Sequence, residues 1–336
     1  MTQRVNSKRS SVWLAGLAAI LGLVSTSVQA QPDYPHVRYN ATCYAAPNDN
    51  YDNLIQSWVD RNQQSNGLDR AYFERQFSEE TFSAMRNALD CRWMIYRHGT
   101  QNIGAFMLKP HAHEGALPVI VYHRPGQGPR GRVSFRQLAE QLAPLAQAGY
   151  IVIGSQYPGG GGVHGGLQNG VDEFAGADLE ALREIYDIID AEPMADSSQI
   201  VLYGKGRGAL MALLSLADHQ PEGVRAVVTE SALTDVSQWF EERPLNQTQV
   251  QAYTTDPSGR SAQARVGDIP QGIAFKMIHG GQDREVGLAQ TEKMQRDLEA
   301  QGVNVDSLIF PRGDHNLTRE RSRIQQEIIT WLADTL

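Results

Sequence analysis

Three short segments carry the residues that could do chemistry. In Tyr203-Gly204-Lys205-Gly206-Arg207-Gly208 the glycines alternate, between the apolar run Ile200-Val201-Leu202 and an amphipathic stretch that opens with Ala209-Leu210. A buried strand that runs straight into a helix through small residues is the setting of a nucleophile elbow, Gly-x-Ser-x-Gly. Gly204 and Gly208 fit its flanks. The centre is Gly206, which has no side chain with which to attack. Downstream, His279-Gly280-Gly281-Gln282-Asp283-Arg284-Glu285-Val286 follows the strand-like run Ile273–Ile278, and Phe310-Pro311-Arg312-Gly313-Asp314-His315 follows another at Val305–Phe310. A carboxylate at Asp283 would fix the tautomer of an imidazole at His315, and the imidazole would then act as base.

An oxyanion hole in such a site needs main-chain N–H groups. Arg207, the residue after the elbow centre, offers one, and the loop His123-Arg124-Pro125-Gly126 offers the other. Pro125 has no N–H, which leaves Arg124 or Gly126, with Arg124 preferred. Ser231 follows the adjacent strand and Ser155 ends another, but neither lies in an elbow. His111 and His113 precede a strand, and His123, His164 and His279 lie near strand ends without the spacing of metal ligands, so neither a metal nor a cofactor is expected. The run Gly159-Gly160-Gly161-Gly162 lacks the Gly-Lys-Ser/Thr ending of a phosphate loop and reads as a loop beside the site.

The elements around these segments alternate. Strands are expected at Pro118–Tyr122, Tyr150–Gly154, Gln199–Tyr203, Val224–Thr229, Ile273–Ile278 and Val305–Phe310. Helices are expected around Phe135–Gln147, Asp172–Asp190, Gly208–Ala217, Leu288–Ala300 and Ile324–Leu332. Near-continuous apolar strands between amphipathic helices give an α/β fold, a mostly parallel sheet covered on both faces that binds ligands at the carboxyl ends of its strands. Before it, Arg92–Arg97 and Ile103–Leu108 flank Gly99-Thr100-Gln101-Asn102 as a hairpin. From Gln31 to about Asp90 the pattern is helical, with Leu54, Ile55, Trp58 and Val59 on one face and Tyr72, Phe73, Phe77, Phe82 and Met85 suggesting one or two more helices.

The order elbow, acid, histidine is that of α/β-hydrolases. From Arg92 to Leu336 the chain resembles the catalytic domain of the prolyl oligopeptidase (S9) family of serine peptidases. The likeness rests on the three segments above together with Ser155-Gln156-Tyr157-Pro158-Gly159, Asp172-Glu173-Phe174-Ala175-Gly176-Ala177-Asp178, Arg243-Pro244 and Arg260-Ser261-Ala262. The resemblance implies an α/β-hydrolase fold and, in active members, hydrolysis of peptide or ester bonds through an acyl-enzyme. It gives the acid position to Asp283 and the base position to His315, and it leaves the serine role without an heir. The region before Arg92 is too short for the β-propeller of full-length oligopeptidases.

At the N-terminus, Arg4, Lys8 and Arg9 precede an uncharged apolar run, Val12 to Val24, and a Val28-Gln29-Ala30 step. That is the layout of a secretory signal peptide at 1–30, with Gln31 as the new N-terminus. The run is shorter than the roughly 20 residues that span a bilayer, which argues against a permanent anchor. Loss of the leader's three basic residues moves the formal charge from −8 to −11. Such acidity disfavours nucleic acid as a partner. Export would place Cys43 and Cys91 where a disulfide persists, although two separate buried thiols would satisfy the same count. The domains are then a signal peptide at 1–30, a helical segment at 31–91 and a hydrolase domain at 92–336.

Two readings of function follow. In the first, the exported protein is a pseudoenzyme that binds a peptide or small ester-like ligand in the cleft without turning it over. In the second, Asp283 and His315 hydrolyse peptide or ester bonds through an activated water or a serine outside the elbow. The oligomeric state is left open.

Overall fold

The computed structural model describes residues 33–63, 67–161, 168–243 and 247–336. The expected leader lies outside them, as do His164, Gly162 and Pro244. Among the described residues one mixed sheet of nine strands organises the fold: β1 (Val37–Thr42), β2 (Leu89–His98), β3 (Gln101–Pro110), β4 (Leu117–His123), β5 (Ile151–Ser155), β6 (Ala195–Lys205), β7 (Val224–Glu230), β8 (Ala274–Gly280) and β9 (Val305–Phe310). Their spatial order is β1-β2-β3-β5-β4-β6-β7-β8-β9. The neighbours from β1 to β5 pair antiparallel, and those from β5 to β9 pair parallel.

Strand side chains alternate between two apolar cores. Val119, Val121, Ile200 and Leu202 face one core, where the helices Arg183–Asp190, Arg207–His219 and Leu288–Ala300 bring Ile185, Leu210, Met211 and Met294. Ile120, Tyr122, Val201 and Tyr203 face the other, against Leu138, Leu142 and Leu145 and against Ile324, Ile328 and Leu332 of the helix Arg321–Thr335. This is the doubly covered α/β sheet expected. The helix Arg207–His219 is buried on every side from Arg207 to Ala217, as an apolar helix at the centre of a fold must be.

The N-terminal segment differs from its sequence reading in one respect. Its helices Tyr51–Gln63, Arg70–Gln76 and Glu79–Ala88 are present, and Asp69 and Ser78 cap the last two by accepting from Tyr72 and Thr81 N–H groups. Yet the segment opens with β1, which pairs with β2 from Val37↔Tyr96 to Thr42↔Arg92, so it is part of the sheet and not a helical preface to it. β1 carries almost no inside–outside alternation of its own, and its partner edge, rather than its composition, makes it a strand. Cys43 and Cys91 form the disulfide at the end of this pairing, 5.3 Å apart at Cα. By loop closure over 48 residues the link is worth roughly 4 kcal/mol.

A second correction falls at Asp172–Asp190. The helix occupies only Arg183–Asp190, after a single 3₁₀ turn at Glu180–Leu182. The first half is an irregular loop in which Phe174 and Ala175 take positive φ, 53° and 66°. Asp172 and Asp178 are both drawn to Arg207, and a continuous helix could not deliver them there.

Candidate active site

The turn between β6 and the helix Arg207–His219 is held by main chain on both sides. Gly206 N–H donates to Glu230 O at 2.8 Å, while Gly206 O accepts from Leu233 N–H at 3.2 Å and Ala209 N–H at 3.1 Å. A Cβ at Gly204 would collide with Gly208 O and Ala209, and one at Gly208 with His123 O, so the two flanking glycines are required by close backbone approach. Gly206 itself has φ 53° and ψ −118°, the strained conformation that a strand-to-helix elbow imposes on its central residue. A Cβ built there points at His315, 3.3 Å from Nε2 and 3.5 Å from Cε1, with Pro125 Cβ at 3.9 Å.

His315 and Asp283 are brought together from loops after β9 and β8. Asp283 Oδ2 accepts from His315 Nδ1 at 2.8 Å, which leaves Nε2 facing Gly206. The carboxylate is fully engaged. Its Oδ1 accepts the N–H groups of Glu285 and Val286 at 2.8 and 2.9 Å, and its Oδ2 also lies 3.3 Å from His279 Nε2. Burial would raise the Asp283 carboxyl, but the two histidines and the Val286 N–H outweigh it and hold the group well below the usual carboxylate range. An ionised carboxylate on Nδ1 is what lets the far nitrogen of an imidazole take a proton.

Two residues of this site were missed in the sequence. His279, buried, faces Val286 O with Nε2 at 3.0 Å and Thr291 Oγ1 with Nδ1 at 2.8 Å. Only a donor can face a carbonyl, so Nε2 carries a proton. The second is Glu285, whose exposed carboxylate places Oε2 3.9 Å from His315 Nε2. The signal for His279 was its place near the end of the strand before Asp283, and that for Glu285 its place in the Asp283 loop.

On the opposite wall, the Arg207 side chain is buried. Its guanidinium bonds Asp172 at 2.7 Å, Asp178 at 2.5 Å and Gly126 O at 2.9 Å, between the rings of Tyr157 and Phe174. Arg260 bonds Ala175 O at 2.5 Å and so ties down the loop that carries Asp172 and Asp178. Arg207 N–H, first in its helix, has no intrahelical acceptor and lies beside Gly206. Arg124 is wholly buried, and its guanidinium donates to the carbonyls of Gln156, Pro125, Arg130 and Gly128, thereby shaping the 124–131 loop. The loop side chain nearest a Cβ at Gly206 is that of Pro125. A cleft of about 810 Å³ opens over Gly206 and His315, with Phe174, Trp239 and Tyr253 along one side.

The remaining candidates stand apart. The Ser155 hydroxyl is buried against Tyr96 Oη at 2.8 Å, and the Ser231 hydroxyl donates to His315 O at 3.0 Å, to the main chain and not to the ring. His111 and His113 are exposed. His123 is buried, and burial pushes its pKa down to about 3.

Residues 136–336, more than half of the chain, match the prolyl oligopeptidase family (Peptidase_S9). Among curated proteins none matches. Among solved structures the chain is similar to the acylaminoacyl peptidase of Pyrococcus horikoshii (18% identity, TM-score 0.58, 74% of this chain and 42% of that one). It is also similar to dipeptidyl peptidase 4 of Porphyromonas gingivalis (15% identity, TM-score 0.57, 74% of this chain and 36% of that one). A third, a Klebsiella pneumoniae protein assigned as a dienelactone hydrolase, is 16% identical at TM-score 0.54, and the match takes in 99% of its length. The chain thus spans less than half the length of the two peptidases, and at these identities the likeness concerns the fold.

Proposed function

Since the chain belongs to the prolyl oligopeptidase family, we propose that it is an exported pseudoenzyme: a hydrolase cleft that binds a peptide or small ester-like ligand, with Gly206 at the nucleophile position. The observation that carries this reading is the backbone of Gly206, which keeps the elbow conformation and aims its missing Cβ at His315 Nε2 from 3.3 Å. Asp283 takes the acid position, His315 the base position, and the N–H groups of Arg207 and Arg124 the oxyanion hole. Export rests on the leader pattern and agrees with the Cys43–Cys91 disulfide. Among the described residues no helix is long and apolar enough to cross a membrane.

Glycine accepts positive φ without the strain of about 1–3 kcal/mol that a serine bears there, so the exchange gives up chemistry and gains stability. The test is the reverse exchange. Gly206→Ser is expected to react with a fluorophosphonate and to hydrolyse members of an ester and peptide panel, while the Gly206 chain binds such ligands calorimetrically without turnover. A folded Gly206→Ser protein that stays unreactive would defeat the assignment of position 206.

One observation favours a second reading, hydrolysis by water. With no hydroxyl at 206, His315 Nε2 faces open cleft with the Glu285 carboxylate 3.9 Å away, an arrangement suited to holding a water for general-base attack. Turnover by the Gly206 chain that disappears in both His315→Ala and Glu285→Gln would decide for it.

A further inference from the structure

Behind the elbow lies a buried charged cluster that the proposed site does not use. Glu230, the last residue of β7, is completely buried, and Arg321 Nη1 lies 2.7 and 3.0 Å from its two oxygens. Tyr203 donates its hydroxyl to the same carboxylate, and Lys205 Nζ lies 3.8 Å from it. Burial would raise the Glu230 carboxyl, yet Arg321 and Lys205 outweigh that and bring it down to about 2.

Both cations reach past the carboxylate to one acceptor. Lys205 Nζ donates to Asn316 O at 2.7 Å and Arg321 Nη2 to the same oxygen at 3.0 Å. The preceding carbonyl, His315 O, accepts from the Ser231 hydroxyl at 3.0 Å. Ser231 follows Glu230 directly and holds φ at 47°, unusual for a residue with a side chain. Glu230 O, in turn, accepts the N–H of Gly206. Glu230 and the residue after it therefore hold the elbow N–H and the His315 carbonyl directly, and Lys205 and Arg321, both paired with Glu230, hold the Asn316 carbonyl.

We propose that Lys205 and Arg321, anchored on Glu230, are positioning residues that clamp the His315 loop in register with the elbow. Lys205 lies in the elbow turn itself, one residue before Gly206. Its ammonium sits 1.1 Å closer to the loop carbonyl than to the carboxylate (2.7 against 3.8 Å), so the loop sets its place. Burying two cations around one carboxylate is a costly way to fill a core, and apolar residues of similar volume often do so at no loss. Fixing a loop carbonyl from two directions is something they cannot do.

The proton on His315 Nδ1 reports the clamp. Bonded to Asp283 at 2.8 Å, it should give a low-field proton resonance, assigned by its loss in His315→Ala. Lys205→Met is expected to shift this signal or broaden it away, with thermal unfolding still cooperative and the His279 Nε2 proton unmoved; Lys205→Arg should restore it. Arg321→Lys keeps the Glu230 carboxylate paired while losing the second donor to Asn316 O, and should weaken the same signal. An unchanged His315 resonance in whichever of Lys205→Met and Arg321→Lys folds would overturn the proposal. The measurement is made on the Gly206 chain, so its outcome is independent of whether Gly206→Ser gains activity.

Discussion

The two sides of the cleft floor are built to different standards. On the acid–base side, both oxygens of Asp283 are engaged, the His279 proton is fixed by its acceptors, and both carbonyls at the base of the His315 loop have donors. On the elbow side the main chain is equally well held, but position 206 carries no side chain, and the nearby His123 ring has no hydrogen-bond partner for either nitrogen among the described residues. Under the proposed reading of position 206, apparatus for orienting an imidazole is kept without the hydroxyl it would serve. A decayed site would be expected to lose buried polar networks early, since each half-satisfied member costs more than an apolar replacement.

The largest effect that could break this comparison lies in the acid. In a Gly206→Ser background, Asp283→Asn should slow fluorophosphonate labelling by about 10⁴-fold, because the amide favours the wrong tautomer of His315. An unchanged labelling rate would show that the oriented pair is scenery. A smaller effect sharpens the elbow side. Gly206→Ala should lower the free energy of urea unfolding by about 1–3 kcal/mol, since it forces a Cβ into positive φ 3.3 Å from His315 Nε2, and it should stay unreactive. No loss of stability would mean that the turn relaxes and that its conformation is not imposed by its surroundings.

A further effect, read as a pH slope, concerns His123. Its folded-state pKa of about 3 lies below the unfolded value of about 6.5, so between those limits the unfolded chain binds the extra proton. The stability tied to this neutral ring is complete above pH 6.5 and falls as pH drops toward 3, by at most about 1.4 kcal/mol per pH unit. Asp283 and Glu230, both lowered, add their losses only below about pH 4. Urea midpoints between pH 4.5 and 6.5 should therefore flatten in His123→Leu, and equal slopes in the two proteins would show that the ring is not held neutral by the fold.

Much of this was legible in the sequence because it is written in local patterns. Leu288–Ala300 and Val305–Phe310 are found where periodicity put them, and the elbow glycines were readable since only small residues allow the crowding seen at Gly204 and Gly208. Asp283 and His315 could be picked out because each follows a strand in a short loop of distinctive composition. What stayed hidden depends on partners distant in the chain. β1 is a strand because β2 lies beside it, and the Phe174 loop is irregular because Arg207 recruits Asp172 and Asp178. Lys205, read only as the variable residue of a turn, gains its meaning from Asn316, 111 residues away.

The hold on Gly206 is entirely main-chain, through its own N–H and carbonyl, and this bears on how such a protein can change over generations. The glycine codons GGT and GGC differ from the serine codons AGT and AGC at the first base alone. Where either is used, one substitution separates the two residues, against backbone strain at positive φ and a close approach to His315. A lineage with this architecture could shed or recover a hydroxyl at 206 by that one change for as long as the Asp283 and Lys205 networks stay in place.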